Sequence, residues 1–324
     1  MPKSRVTVVG LGLIGGSLGL ALKKSNLEVE IIGHDKDSNA ASRALKRGAV
    51  DKTEWNLINA CDQAGLIILA LPLDGVRDTL AALKPYLEPG VIVTDTATTK
   101  APVMEWARQL PEGVHFVGGD PIINPRREGA TQGIDAATAD LFQGGTYCLT
   151  PSTTAAAPAI ETMTNFATLV GARPYFLDAA EHDGLMAGVE HLPAVLATAL
   201  ASATMTSQGW RELGKVAGAN FRTATGIAPQ DAKTAEAEFL AHRTDLIRWI
   251  DSVIATLREL RGALEREDAD ALQALIEQLA DERAKWLSGS LTSEGQPVDW
   301  EAARYSTAQL FLGGLATRRA KKSS

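Results

Sequence analysis

A handful of residues near the start of this chain have the types and spacing needed to hold a phosphate and a ribose. Val6-Thr-Val-Val-Gly-Leu-Gly-Leu-Ile-Gly-Gly-Ser-Leu-Gly19 is a β-branched run that breaks into glycines and resumes as an apolar segment. That pattern predicts a strand, a phosphate loop and the first turn of a helix. Gly10, Gly12 and Gly15 fit G-x-G-x-x-G, where the first glycine makes the tight turn, the second lets a pyrophosphate approach the backbone, and the third permits close helix–strand packing. The amides of the loop, through Leu11, Leu13 and Ile14, are then placed to face phosphate oxygens. A second strand-like run, Val29-Glu-Ile-Ile-Gly33, leads to Asp35, twenty residues after Gly15. A carboxylate there accepts hydrogen bonds from both hydroxyls of an adenosine ribose and repels a 2′-phosphate. The expected cofactor is therefore NAD, with Lys36 and Arg43 leaving NADP as the less favoured choice. Elsewhere, His182-Asp183 is an adjacent acid–base pair that suits either catalysis or helix capping.

The elements that must position these residues follow in order. Asp37 to Arg47 reads as a helix, and Ala64-Gly-Leu-Ile-Ile-Leu-Ala-Leu-Pro72 as a buried parallel strand. Gly75 to Leu87 has helical spacing, and Gly90-Val-Ile-Val-Thr94 is another strand. His115 to Gly118, Thr146 to Thr150 and Pro174 to Leu177 add three short strands, with a helix over Ala156 to Val170 between the last two. Alternating strands and helices predict an α/β, doubly wound parallel sheet of Rossmann type. Beyond Asp178 strand signals stop and alanine- and leucine-rich segments take over. The expected domains are thus 1–178, binding a dinucleotide, and 179–324, all-α. In the second, Leu246, Val253 and Leu260 recur every seven residues, as do Ile250, Leu257 and Leu264. Leu272, Leu275, Ile276, Leu279 and Trp286 form a further stripe after a break between Gly262 and Asp270. Such stripes serve as core or as a subunit interface, and a homodimer through the helical domain is expected. Ser288 to Asp299 reads as a polar loop and Tyr305 to Leu315 as a final helix.

Composition narrows the class. The chain has 324 residues, enough for two domains with sizeable cores, and its 45% hydrophobic and 22% charged content is that of a globular protein. With 32 basic against 39 acidic residues the net charge is −7, which argues against a nucleic-acid or acidic-membrane binder. Cys61 and Cys148 have no metal-like spacing, so no metal is expected and reduced thiols in a cytoplasmic protein are the reading. No uninterrupted apolar run of about 18 residues occurs, so no membrane span is expected.

In this order the sequence resembles the prephenate and arogenate dehydrogenase family of tyrosine biosynthesis, from about Val6 to the Ile227 region. The marks are the glycine loop, Asp35, the Ala70-Leu71-Pro72 strand end, Thr94-Asp-Thr-Ala-Thr-Thr-Lys100, Leu141-Phe-Gln-Gly144 with Leu149-Thr-Pro151, Glu181-His-Asp183 and Glu190-His-Leu-Pro193. The resemblance implies an NAD-dependent oxidative decarboxylation of a cyclohexadienyl acid in a cleft between the domains. Leu71 and Pro72 then join the cofactor site. Thr98 stands at the family's serine position, for the substrate hydroxyl or nicotinamide or as a turn cap, and His191 at its S-H-L-P histidine. Two places depart from the family. In Gly119-Asp-Pro-Ile-Ile-Asn-Pro-Arg-Arg-Glu-Gly129, Asp120 occupies the place of the catalytic histidine, and in Asn220-Phe-Arg-Thr-Ala-Thr-Gly-Ile-Ala228, Gly226 occupies that of the substrate-binding arginine.

Asp120 can accept a hydroxyl proton, though a carboxylate with a reference pKa of about 3.9 is a weaker base than imidazole near 6.5. Arg126, Arg127 and Arg222 are the candidates to bind substrate carboxylate, against a plain surface role. The changed pair leaves two alternatives. One is a same-fold dehydrogenase for a less anionic hydroxy or amino acid; the other is a nucleotide-binding regulatory protein without catalysis. Lys100 is expected to be a structural charge, His115 part of a strand and His242 a solvated helical position.

Overall fold

The computed structural model describes residues 4–126, 133–229 and 231–289. The polar loop expected up to Asp299 and the helix expected over Tyr305 to Leu315 lie outside them. The chain divides into two compact units, the first running through Ala179 and the second beginning at Ala180.

In the first unit, β1 (Ser4–Val9), β2 (Val29–His34), β3 (Lys52–Thr53), β4 (Leu66–Leu69), β5 (Ile92–Asp95), β6 (His115–Ile122), β7 (Thr146–Pro151) and β8 (Arg173–Phe176) form one sheet. Its order is β3-β2-β1-β4-β5-β6-β7-β8. Its helices are α1 (Leu13–Lys24), α2 (Ser38–Lys46), α3 (Leu57–Cys61), α4 (Leu73–Leu83), α5 (Ala101–Ala107) and α6 (Ala157–Leu169). The strands alternate faces with period two. Val6, Val8, Leu66, Ile68 and Ile92 join one core with α1 and α6, whereas Val9, Ile67, Leu69 and Val93 join another with α4 and α5. Burial on both sides explains why these strands read as continuous apolar runs. The reversal of strand order between β1 and β4 makes the crevice in which a doubly wound sheet binds its ligand.

The expected doubly wound sheet is present and mostly parallel, with one antiparallel pair. The sheet is not parallel throughout, because β7 runs antiparallel to β6 and β8 is parallel to β7. Apolar runs carry no direction, but the connection does. A parallel return needs a crossover of a dozen or more residues, usually helical. Such a helix, α6, joins β7 to β8, while the described residues between β6 and β7 contain only a short 3₁₀ turn at Ile134–Ala136.

The second unit is helical, with α7 (Ala179–Met186), α8 (Leu192–Met205), α9 (Trp210–Val216), α10 (Ala219–Thr225), α11 (Ala232–Ala241), α12 (Arg243–Glu265) and α13 (Ala269–Ser288). A π-helical turn, Ala187–His191, joins α7 to α8. Its physical cause is Pro193, which has no N–H to give to the carbonyl four residues back and whose ring crowds that carbonyl. The heptad stripes largely face outward: Leu257 is 57%, Leu264 64% and Ile276 64% exposed. Leu246 is the member that is fully buried.

Ala179–Met205 is long and apolar enough, by length and composition, to cross a membrane. It is not an uninterrupted apolar run, because Glu181, His182, Asp183, Glu190 and His191 break it. His182, Asp183 and His191 are buried in the helical unit, and 28% of the apolar window is buried.

Candidate functional site

The glycine loop is built so that two glycines are obligatory and the third is open. Gly10 lies at φ +91°, and a Cβ on it would meet the Ala70 carbonyl oxygen at 2.1 Å. A Cβ on Gly15 would stand 1.9 Å from the Gly10 carbonyl oxygen. At Gly12, by contrast, a Cβ would meet no atom within 4 Å. The space that a side chain would fill there is the space through which a pyrophosphate reaches the backbone. Gly12 also caps α1 without a side chain, so the first-turn amides of Leu13, Ile14 and Gly15 point out along the positive end of the helix.

The loop is tied to the end of β2 by Asp35. Its Oδ2 accepts from the Leu11 amide at 2.7 Å and its Oδ1 from the Asp37 amide at 2.8 Å. The Leu11 amide is thus committed to Asp35 rather than directed at phosphate. Each carboxylate oxygen retains capacity for a ribose hydroxyl. Leu71 closes over Gly10, its Cδ2 3.0 Å from where a Cβ on that glycine would be, and Pro72 caps α4. The residues present therefore fit an adenine dinucleotide.

The sheet also positions Asp120, which sits two residues before the end of β6 opposite Cys148 and is 2% exposed. Lys100 and Asp95 form an ion pair with no exposed side-chain surface. Asp95 does more than neutralise the lysine: its Oδ2 accepts from the Ala97 amide at 3.0 Å and its Oδ1 from the Gly119 amide at 3.2 Å. The residue preceding Asp120 is thereby fastened to the β5 end. Tyr147 is fully buried nearby, and burial, then the charges of Asp95 and Asp120, hold its phenol well above the usual range. Burial and the Asp120 charge push the Cys148 thiol up to about 12, against the pull of Lys100. Cys61 is likewise raised to about 12 by burial. Both thiols are buried and inert.

Thr98 is half-buried in the loop between β5 and α5. Arg126 is exposed in the turn that follows β6, its amide donating to Asn124 Oδ1 at 3.0 Å. Arg127 lies outside the described residues. Arg222 is exposed on α10, and Gly226, at the C-terminal cap of that helix, follows it by four residues. Residues four apart share a helix face, so Arg222 presents its guanidinium one turn before the glycine.

The helical unit holds a cluster of its own. His182 Nδ1 and Asp183 Oδ1 are 2.9 Å apart, and both residues are buried in α7. The pair is inside the helix, not a cap. His191, at the end of the π turn, is 3% exposed, and its ring packs against His242 with centroids 4.1 Å apart. The expectation for His242 is thus wrong: at 2% exposure it is a core residue at the corner between α11 and α12. A lone histidine on a charged helix carries no sequence sign of burial. Asp95 was equally unassigned, though an acid closing an apolar strand five residues before a lysine is a usable signal.

Residues 18–176 match the family model described as prephenate dehydrogenase, nucleotide-binding domain, and residues 178–278 the model described as prephenate dehydrogenase, dimerization domain. A prephenate dehydrogenase of Bacillus subtilis (strain 168) is 32% identical over 278 residues, spanning 83% of this chain and 72% of the relative. The crystal structure of Synechocystis arogenate dehydrogenase is 27% identical with a TM-score of 0.69, covering 87% of this chain and 99% of that one. The A. aeolicus prephenate dehydrogenase, in complex with hydroxyphenyl propionate and NAD+, superposes at a TM-score of 0.77 over 88% of this chain and 99% of its own. At 24% identity that match shows a shared fold.

Proposed function

The chain belongs to the prephenate dehydrogenase family, and from that premise we propose that this NAD-dependent dehydrogenase prefers arogenate, the family substrate that carries an ammonium, over prephenate. The observation that carries this preference is Asp120, a carboxylate buried two residues before the end of β6 where the resemblance expects an imidazole. A buried anion attracts an ammonium and repels a second carboxylate. Gly226 removes a cation from the same account, which lowers the affinity for a dianion further.

The bound nicotinamide supplies the hydride acceptor. The chain's own residues do the rest. Leu13, Ile14 and Gly15 hold the pyrophosphate through their amides, and Asp35 holds the ribose and disfavours a 2′-phosphate. Thr98 meets the substrate hydroxyl and Asp120 orients the substrate, both from the first unit, and His191 is a proposed catalytic residue on the resemblance alone. Arg126, Arg127 and Arg222 take the carboxylates, Arg222 from one helical turn before the missing arginine. Rigid placement matters because hydride transfer requires a near-attack geometry.

Homodimer formation through the helical unit is part of the reading. Ile254, Leu257, Leu264 and Ile276 are between 39% and 64% exposed in the single chain, within the segment matched by the dimerization model. Burial of this stripe against a second copy removes that apolar surface from water. A cytoplasmic location is also proposed, on the two unreacted cysteines.

The test is a pair of substitutions in the purified protein. Asp120→His with Gly226→Arg restores the family residues and should raise kcat/KM for prephenate about tenfold or more, equivalent to about 1.4 kcal/mol of transition-state stabilisation. A double variant that still discriminates against prephenate as the parent does would remove Asp120 and Gly226 from the account of specificity.

A further inference from the structure

Among the described residues the most exposed large apolar side chain is Trp55, at 85%. It follows β3 in the first unit, and the backbone on both sides of it is held. The Glu54 amide donates to the Gly33 carbonyl oxygen at 2.9 Å, and the Glu54 carbonyl oxygen accepts from His34 Nδ1 at 2.9 Å. A carbonyl only accepts, so Nδ1 of His34 is the nitrogen that carries a proton. On the other side, the Asn56 amide donates to Glu54 Oε1 at 2.9 Å, and Asn56 Oδ1 caps α3 by accepting from the Asn59 amide at 3.1 Å. The turn thus presents an indole to solvent on a fixed backbone. Such a ring contributes little to folding, because its apolar faces stay in water. A fixed backbone, however, lowers the entropy cost of holding a ligand against it.

This turn stands beside the acid assigned to the ribose. Strands β2 and β3 are parallel, with Ile32 paired to Lys52 and Gly33 to Thr53. Two positions beyond that last pair come Asp35 and Trp55, and the contacts of Glu54 with Gly33 and His34 carry the pairing past the end of β3. Adjacent strands lie about 4.8 Å apart, so the two residues are neighbours across the strand ends. The sugar itself sets the direction of a bound adenosine. With its 2′ and 3′ hydroxyls on Asp35 and its 5′ oxygen leading to the amides of α1, a ribose bears its base at the other end of the ring, away from α1. Helix α1 packs on one face of the sheet, and α3 and α4 pack on the other. The turn that holds Trp55 leads from the sheet into α3, on the side to which the base is directed.

We propose that Trp55 is the adenine platform of the dinucleotide site, an exposed indole face against which the purine of the cofactor is laid. The proposal rests on the reading above in which Asp35 holds the adenosine ribose. Offset stacking of two aromatic planes needs no hydrogen-bond partner on the ring, which suits a side chain surrounded by solvent. Stacking also removes apolar surface of both rings from water, the gain that folding alone leaves unused at this residue. The contact involves the adenosine half alone. It therefore contributes equally to binding of the oxidised cofactor, the reduced cofactor and ADP-ribose, which has no nicotinamide.

The experiment titrates the full chain, Trp55→Phe and Trp55→Ala with ADP-ribose and with NAD, by calorimetry and by tryptophan fluorescence. The chain has six tryptophans, so the Trp55 signal is read as the difference between the parent and Trp55→Phe. ADP-ribose should quench the parent emission and should quench Trp55→Phe far less. Trp55→Ala should bind ADP-ribose and NAD about tenfold more weakly, by the same factor for both. Trp55→Phe keeps an aromatic face and should bind both within about threefold of the parent. Because the side chain is so exposed, both variants should melt as the parent does, which separates a lost contact from a damaged fold. An unchanged ADP-ribose affinity in Trp55→Ala overturns the proposal, and so does equal quenching in the parent and Trp55→Phe. A loss confined to NAD, or a loss in Trp55→Phe as large as in Trp55→Ala, does the same, since neither comes from an aromatic face under adenine. Where the parent binds NAD tightly and Trp55→Ala matches it, the platform fails and the NAD reading stands; a parent that binds neither probe overturns both.

Discussion

The Lys100 ammonium and the Asp95 carboxylate form an ion pair wholly enclosed by the first unit, and the same carboxylate receives the Gly119 amide one residue before Asp120. The geometry of the β6 end therefore depends on a charge pair made at the β5 end. Removing one member of such a pair leaves an uncompensated buried charge, which costs about 3–5 kcal/mol. Lys100→Met should lower the denaturant midpoint accordingly, and adding Asp95→Asn should recover part of the loss. Equal losses for the single and double variants would show that the pair acts through something other than charge compensation.

The glycine loop separates folding from binding. Gly15→Ala places a Cβ 1.9 Å from a backbone oxygen, so its melting temperature should fall. Gly12→Ala meets nothing in the protein and should melt as the parent does, yet bind NAD about tenfold more weakly, a change of about 1.4 kcal/mol. Thermal melts and a fluorescence titration with NAD measure the two effects. An unaltered NAD affinity in Gly12→Ala would displace the pyrophosphate from this loop.

Cofactor choice rests on one side chain. Asp35→Asn keeps an acceptor for the Leu11 amide but removes the charge, so NAD affinity should fall while NADP affinity rises. Parallel titrations with the two cofactors check this. A variant that binds NADP no better than the parent would shift the discrimination to Lys36 and Arg43.

Acid should weaken the helical unit. The folded pKa of His242 is depressed below the usual value near 6.5, chiefly by burial, so below that value the unfolded chain binds more protons than the folded one. The contribution is fully present above pH 6.5 and is lost as the pH falls through that value towards the folded pKa. Melting curves at about pH 7.5 and 5.5 should show a decline that is shallower in His242→Leu. Identical declines in parent and variant would place the acid sensitivity elsewhere.

These tests fall unevenly on what the sequence made visible. Gly10, Gly15 and Asp35 were legible because φ, close approach and a ribose contact each demand a residue type at a fixed spacing. The central strands were legible because burial on both faces excludes polar residues. The direction of β7 was not, since alternation is the same read either way, and only the connection distinguishes the two cases. His242 was hidden for a related reason: its burial depends on Asp183 and His191, which are 59 and 51 positions earlier. The stripe of Leu257 and Leu264 was legible as a contact surface, but periodicity does not say whether the surface is met by the same chain or by another.

The central claim is that this dehydrogenase is specified by its buried Asp120 for the ammonium-bearing substrate. Its most direct measurement is kcat/KM for arogenate and for prephenate with NAD, followed by the absorbance of the reduced cofactor. Arogenate should be favoured about tenfold or more, which corresponds to about 1.4 kcal/mol, and Asp120→Asn should narrow the ratio. A prephenate rate equal to or above that for arogenate, or a ratio that Asp120→Asn leaves unchanged, would contradict the account.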